Sequence, residues 1–130
     1  MTAHFLKGFN AYLKKTISIR DTNARKDRKE NFYHGILLGL LGYMDEWHIK
    51  SNAESGDGYC DIFVEVEDEE IGILIELKYA ENTQFDAACD KAVKQIKDRN
   101  YEEMLTDDGI KTIYRYGIAC YKKRCRVISG

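Results

Sequence analysis

A nine-residue segment near the middle of the chain, Ile71–Tyr79 (IGILIELKY), is apolar on both faces except near its end. A strand of this kind is typical of the centre of a sheet whose two faces are both covered. Glu76 and Lys78 interrupt the apolar pattern, and burying such groups is costly unless they are paired or coordinated. The segment therefore predicts a central strand with a polar site at one end.

Periodicity predicts the remaining elements, in the order α, α, β, β, β, α, β, β. Apolar spacings of three and four predict helices over residues 3–18, about 27–46 and 83–105. Alternation predicts a strand beginning at Trp47 and strands over Tyr59–Val66, Thr112–Tyr121 and Arg124–Ile128, with a tight acidic turn before Ile71. At 130 residues this is one α/β domain with a mixed sheet between helices. Residues 1–20 either pack back on it or belong to a preceding domain.

Composition excludes several classes of protein. With 44% apolar and 32% charged residues, the chain can build a core and is not intrinsically disordered. Its longest apolar run, Gly35–Tyr43, is too short to cross a bilayer, and no export leader opens the chain, so we expect a cytoplasmic protein. Four cysteines without a CxxC pair and three histidines without ligand spacing argue against zinc.

A net charge of −2 conceals three segments of different sign. Residues 14–29 carry seven basic side chains and only two acids, residues 54–70 carry eight acids and no base, and residues 111–126 carry six bases and no acid. Basic segments around an acidic centre suit a protein that binds a polyanion and holds a cation. Ordinary solvated faces of helices and strands would give the same pattern.

The acids inside the strands are the main candidates for chemistry. Asp61 lies on the strand before Ile71–Tyr79, on the face opposite Ile62 and Val64, and Glu76 and Lys78 share one face of the central strand. Two carboxylates on neighbouring strands can share Mg²⁺, with the Leu77 carbonyl as a further ligand. Without the ion, we expect one acid to be protonated or paired with Lys78. A purely structural ion pair is the alternative.

Five segments follow one another along the chain: ENFYHGILLGLLG (30–42), SNAESGDGYCDI (51–62), GILIELKYA (72–80), DKAVKQIKDRNY (90–101) and IKTIYRYGIACYKKRCRV (110–127). In this order they resemble a bacterial subfamily of the PD-(D/E)XK nuclease superfamily, over about residues 27–128. The resemblance implies a restriction-endonuclease-like sheet with an α-β-β-β-α-β core. Cys60 stands where the family name has proline, and Ala53 where relatives often carry arginine.

The resemblance also assigns roles to particular residues. Asp61 and Glu76 would bind the metal, and Lys78 would position the attacking water. Glu30 would add to the metal shell, although it also has capping-box spacing with Asp27. Gln95, followed by Tyr101, would lie near the site as a catalytic residue, although a lone glutamine on a helix is usually a surface residue.

These expectations combine into one function. We expect a nuclease dependent on Mg²⁺ or Mn²⁺ that hydrolyses nucleic acid, with DNA favoured, and basic residues that contact phosphates: Lys26, Arg28, Lys122, Lys123 and Arg124. The resemblance raises a second copy of the chain and a preceding AAA-ATPase-like domain as partners. The alternative is a non-catalytic nucleic-acid-binding or interaction module of an ATPase-linked protein. The chain itself contains no GxxxxGK[ST] nucleotide-binding loop.

Overall fold

The structure is a computed structural model that describes residues 2–18, 28–44, 46–55, 58–81, 84–98 and 109–130. Its helices are α1 (Thr2–Thr16), α2 (Lys29–Leu41) and α3 (Phe85–Asp98). Its strands are β1 (His48–Ser55), β2 (Gly58–Val66), β3 (Ile71–Tyr79), β4 (Thr112–Tyr121) and β5 (Arg124–Ser129). The order of elements and the α/β class are those predicted from periodicity. None of the described helices is long and apolar enough to cross a membrane.

The five strands form one mixed sheet in the order β1-β2-β3-β4-β5. All neighbours are antiparallel except β3 and β4, which are parallel. A parallel pair needs a crossover, and α3 lies on the path from β3 to β4. Because these two strands are parallel, their carboxyl-terminal ends lie at the same end of the sheet.

Helices cover both faces of the central strand, as the sequence of β3 predicts. On one face, Ile73, Ile75 and Leu77 are buried together with residues of α1 and α2, among them Phe9 and Tyr33. On the other face, Leu74 packs in a cluster with Phe63 of β2 and Ile96 of α3. The face of β2 that carries Asp61 is therefore covered where Phe63 lies, although the flanking residues on that face, Asp61 and Glu65, are charged.

Two predicted helix boundaries are wrong. The second helix ends at Leu41, not at Glu46, because Gly42 follows and the next amides bond three residues back, with Tyr43 N donating to Leu40 O and Met44 N to Leu41 O. The third helix begins at Phe85, and its described part ends at Asp98; the predicted continuation to residue 105 lies outside the described residues. Neither change moves a candidate site residue off its element.

Helix α3 approaches β4 closely at Gly117. A Cβ atom at this position would lie 2.7 Å from the Cys89 backbone oxygen and 3.0 Å from Val93 Cγ2. Gly117 is also the residue of β4 that pairs with Glu76 of β3. The close approach therefore brings α3 against the sheet at the position of the buried acid.

Candidate active site

Asp61 and Glu76 lie side by side on neighbouring strands. The antiparallel register that pairs Ile62 with Ile75 puts them opposite each other at the next position. Asp61 N donates to Glu76 Oε1 at 3.3 Å, and Leu77 N donates to Asp61 Oδ2 at 2.8 Å. Each carboxylate therefore accepts a hydrogen bond from the backbone of the other strand, which fixes both groups.

Burial sets the protonation state of Glu76. Glu76 is 0% exposed, and among the described residues it is the only buried charged side chain. Burial, and next the charge of Asp61, raise the pKa of the Glu76 carboxyl from 4.5 to about 8. Without a cation Glu76 is therefore mostly protonated at neutral pH, which is one of the two states expected from sequence.

Helix α3 contributes Gln95, whose side-chain amide connects Lys78 to the acids. Lys78 Nζ donates to Gln95 Oε1 at 2.7 Å, and Gln95 Nε2 donates to Glu76 Oε2 at 3.0 Å. Within the described residues, Lys78 forms no ion pair with either carboxylate. Four of the predicted site residues, from β2, β3 and α3, thus form one hydrogen-bonded network.

The donor chemistry of this network fits a hard divalent cation. Mg²⁺ is usually bound by one or two carboxylates together with waters and substrate phosphates, and Asp61 with Glu76 supplies two. In the described part of the chain, no three His, Cys, Asp or Glu side chains lie together in an arrangement that could hold a metal ion. Leu77, predicted to offer its carbonyl, lies between Glu76 and Lys78 and binds Asp61 through its amide.

Glu30 lies at the same end of β3 but is not brought into a cluster with the two acids. Its Oε1 accepts a hydrogen bond from Tyr79 N at 3.3 Å. The predicted capping box needs the side chain of Asp27, whereas the residue directly before α2 is Arg28, whose side chain makes no capping hydrogen bond. Asp27 lies outside the described residues. Glu30 joins α2 to the end of β3 instead.

His34 is a residue of the site that the sequence did not single out. Its Nε2 lies 3.0 Å from Asp61 O and 3.1 Å from Ser51 Oγ. His34 therefore links α2 to β1 and to the backbone of Asp61. The spacing of four residues between Glu30 and His34 puts both on one face of α2. This spacing is the sequence signal that could have identified His34 as a residue of the site.

The candidate phosphate-binding residues are placed in part. Arg28 is exposed before α2, and Lys122, Lys123 and Arg124 form the turn between β4 and β5 and the start of β5. This turn is fixed by Tyr33, whose hydroxyl donates to Lys122 O at 2.8 Å. Burial raises the pKa of Tyr33 well above its ordinary value, so the hydroxyl keeps its proton. Lys26, like Tyr101, lies outside the described residues.

A groove of about 370 Å³ adjoins this end of the sheet. Glu30 and Tyr79 form part of its wall, and Gln84 and Lys91 lie along α3 and the segment before it. Lys91 is one helical turn before Gln95, but none of the four network residues lines the groove.

The mixed sheet carries Asp61 on one strand and Glu76-Leu77-Lys78 on the next, which is the residue pattern D…ExK. A family model described as the PD-(D/E)XK nuclease superfamily matches residues 28–130. The chain belongs to this superfamily, and the match begins at α2 and includes the whole sheet. No curated protein and no solved structure matches the chain.

Proposed function

We propose that this chain hydrolyses phosphodiester bonds of nucleic acid, with DNA as the favoured substrate, at a site that holds Mg²⁺ or Mn²⁺ between Asp61 and Glu76. The observation that carries the proposal is the network of Asp61, Glu76, Lys78 and Gln95 at one edge of the sheet. Membership of the nuclease superfamily supports the reaction class.

Each residue has a role that follows from its contacts. A cation held by the two carboxylates would polarise the scissile phosphate and lower the pKa of a water. Gln95 fixes the Lys78 ammonium through its side-chain carbonyl, so Lys78 keeps two donor hydrogens for a water or a phosphate oxygen. Gln95 also holds one Glu76 oxygen, which orients that carboxylate before substrate arrives.

The protonation of Glu76 in this network supports a bound cation as part of the active state. In its absence, Glu76 is held protonated by burial and by Asp61. A divalent cation favours the ionised form of both acids and so replaces the proton. We therefore expect metal binding to release about one proton at neutral pH.

The test is cleavage of labelled single- and double-stranded DNA and RNA with Mg²⁺ or Mn²⁺. Asp61→Asn and Lys78→Gln are expected to lower the cleavage rate by about 100-fold or more. Lys94→Gln is the matched control, since Lys94 lies on exposed α3 surface and pairs only with exposed Asp98 among the described residues. Circular dichroism melting verifies that all three variants are folded.

Two results would contradict the nuclease proposal. Cleavage that persists in Asp61→Asn would come from a contaminating enzyme or from another site. If neither metal supports cleavage while nucleic acid binds with a steep salt dependence, the chain is the non-catalytic binding module.

A further inference from the structure

Three aromatic side chains, at the carboxyl-terminal ends of β3 and β4 and at the start of α3, each contact a basic side chain. Lys29 Nζ lies 4.7 Å from the centre of the Tyr79 ring, Lys122 Nζ lies 5.3 Å from that of Tyr121, and Arg124 Cζ lies 5.5 Å from that of Phe85. These distances are within the range of cation–π contacts. We call these six residues the aromatic–cation edge.

Two of the three rings contact each other, and the third packs against the same buried cluster as one of them. The parallel pairing of β3 with β4 brings Tyr79 and Tyr121 to the same end of the sheet, where their ring centres are 5.7 Å apart. Phe85, the first residue of α3, packs with Tyr121 against a small buried cluster around Ala80. All three rings are partly buried, so the protein holds them in place while part of each remains accessible.

This edge adjoins the candidate active site. Tyr79 is three residues beyond Glu76 on β3, about 10 Å along the strand, and projects from the opposite face, where it packs against the cluster of α1 and α2. It directly follows Lys78, and its amide donates to Glu30. A nucleic-acid strand with a phosphate at Glu76 would therefore pass the end of β3 to reach the Tyr79 ring, a path of a few nucleotides.

Among the described residues, the basic side chains of the edge have no acidic partner. In the part of the chain that the structure describes, no ion pair joins Lys29, Lys122 or Arg124 to a carboxylate. Lys29 instead donates to the Tyr79 hydroxyl at 3.2 Å. By contrast, Arg126 farther along β5 pairs with Asp86. The three cations are thus free to exchange a ring for a phosphate.

We propose that the aromatic–cation edge binds unpaired nucleotides, so that the substrate class is single-stranded nucleic acid or the single-stranded end of a duplex. Bases stack on the rings of Tyr79, Tyr121 and Phe85, and the basic side chains turn from the rings to the phosphates. Aromatic side chains interleaved with basic ones are the usual means of binding single strands without sequence preference. The assignment to substrate rests on the proposed nuclease function.

The alternative is that the edge binds phosphates alone. A purely electrostatic surface contacts the backbone of a duplex, or of a strand without bases, as readily as that of a normal single strand. Stacking requires bases that are present and unpaired. The two cases therefore differ in a binding experiment in which phosphate number is held constant.

The experiment measures the affinity of the wild-type chain for three labelled probes by fluorescence anisotropy, with a chelator present so that nothing is cleaved. Two probes carry the same number of phosphates, a thymidine 12-mer and an abasic 12-mer. The third is a 12-base-pair duplex, which carries twice as many phosphates but no unpaired bases. We expect the thymidine strand to bind about 10-fold more tightly than the abasic strand. A uridine 12-mer that binds as tightly as the thymidine strand supports the proposal and extends it to RNA.

Variants of the edge test which residues produce the preference for bases. Tyr121→Leu is expected to remove most of the preference for bases, whereas Lys122→Gln weakens the binding of the thymidine and abasic strands alike. Tyr43→Leu is the matched control, because Tyr43 is 85% exposed beyond the far end of α2. The comparison of probes on the wild-type chain does not depend on whether a variant folds.

Equal affinity for the thymidine strand and the abasic strand would overturn the proposal, as would a base preference unchanged in folded Tyr121→Leu. The two proposals fail separately. Cleavage that requires Asp61 without any base preference overturns the aromatic–cation edge alone. Base-dependent binding without cleavage by any metal overturns the nuclease and leaves the edge as a single-strand-binding surface.

Discussion

Glu76 combines full burial with a carboxylate neighbour, and this combination makes stability depend on pH. Its pKa is raised in the folded chain from 4.5 to about 8. Between these values the folded state holds a proton that the unfolded state has lost, so the free energy of unfolding falls as pH rises. The stability is fully present below about pH 4.5 and is lost by about pH 8 when no cation is bound.

Glu76→Gln is therefore expected to remove this pH dependence, because an amide cannot ionise. One pKa unit corresponds to about 1.4 kcal/mol, so the variant should gain a few kcal/mol over wild type between pH 5 and pH 8 in the absence of metal. Urea unfolding across this range with a chelator measures it. Adding Mn²⁺ at pH 8 should stabilise wild type and not the variant. If the free energy of unfolding depended on pH equally in both proteins, Glu76 would not be the group that holds the proton.

Gln95 positions Lys78 and Glu76 by hydrogen bonds, so its variants should change kcat more than KM. Gln95→Ala loses the bonds to Lys78 Nζ and Glu76 Oε2 and is expected to lower kcat by about 10- to 100-fold with little change in KM. Gln95→Glu still accepts from Lys78 but cannot donate to Glu76, so it should restore only part of the rate. Lys97→Ala, on exposed α3 surface, is the control. A change confined to KM would assign Gln95 to substrate binding instead.

At the scale of elements, the packing of α3 on β4 positions Gln95 next to Glu76. Gly117→Ala would place a methyl group 2.7 Å from the Cys89 backbone oxygen, which cannot move without the helix. We expect a loss of about 1–3 kcal/mol in stability. The melting temperature in the presence of chelator gives the comparison, and cleavage should fall with the displacement of Gln95.

Gly35→Ala provides the matched control for this substitution. Gly35 lies on the exposed side of α2, and a Cβ there would meet no atom within 4 Å. Removing a glycine from a helix interior is expected to stabilise the chain by about 0.5–1 kcal/mol. If Gly117→Ala were equally tolerated, α3 would be free to shift and could not be what positions Gln95.

The elements also show what could be predicted from sequence and what could not. Periodicity located β3 and β4 with their observed ends, since alternation and apolar runs act within a single strand. The end of α2 was missed because the apolar pattern continues past Leu41 while the backbone turns. The contact of His34 with Asp61 depends on how α2 rotates against the β1–β2 hairpin, which no local pattern specifies.

At the scale of the whole molecule, the candidate active site and the aromatic–cation edge both lie at one end of the sheet. The β3 and β4 ends, the start of α2 and the start of α3 meet there, and ligands of open sheets with parallel strands bind at such carboxyl ends. The proximity of Asp61 and Glu76 could be expected from their places on neighbouring strands, whereas the approach of Gln95 from α3 could be expected only through the family resemblance. A homodimer and an AAA-ATPase-like neighbour stay predictions.

The fold divides the basic residues that look equivalent in sequence. Residues 111–126 read as one basic segment, but β4 separates its two ends. Lys111 precedes β4 and pairs with Glu70 at 3.0 Å, whereas Lys122 and Arg124 lie at the opposite end, beside the candidate site. Only the second group is placed to contact a substrate bound there.

This division predicts different salt dependences. Each phosphate contact to a single strand contributes about −0.7 to the slope of log K against log salt concentration. Lys122→Gln and Arg124→Gln should each make the slope shallower by about that amount, and Lys111→Gln should leave it unchanged. Titrations of a thymidine 12-mer between low and moderate salt measure all three. A slope that responds equally to Lys111→Gln would mean that the nucleic acid crosses the whole length of β4 and is not confined to the edge that carries Glu76.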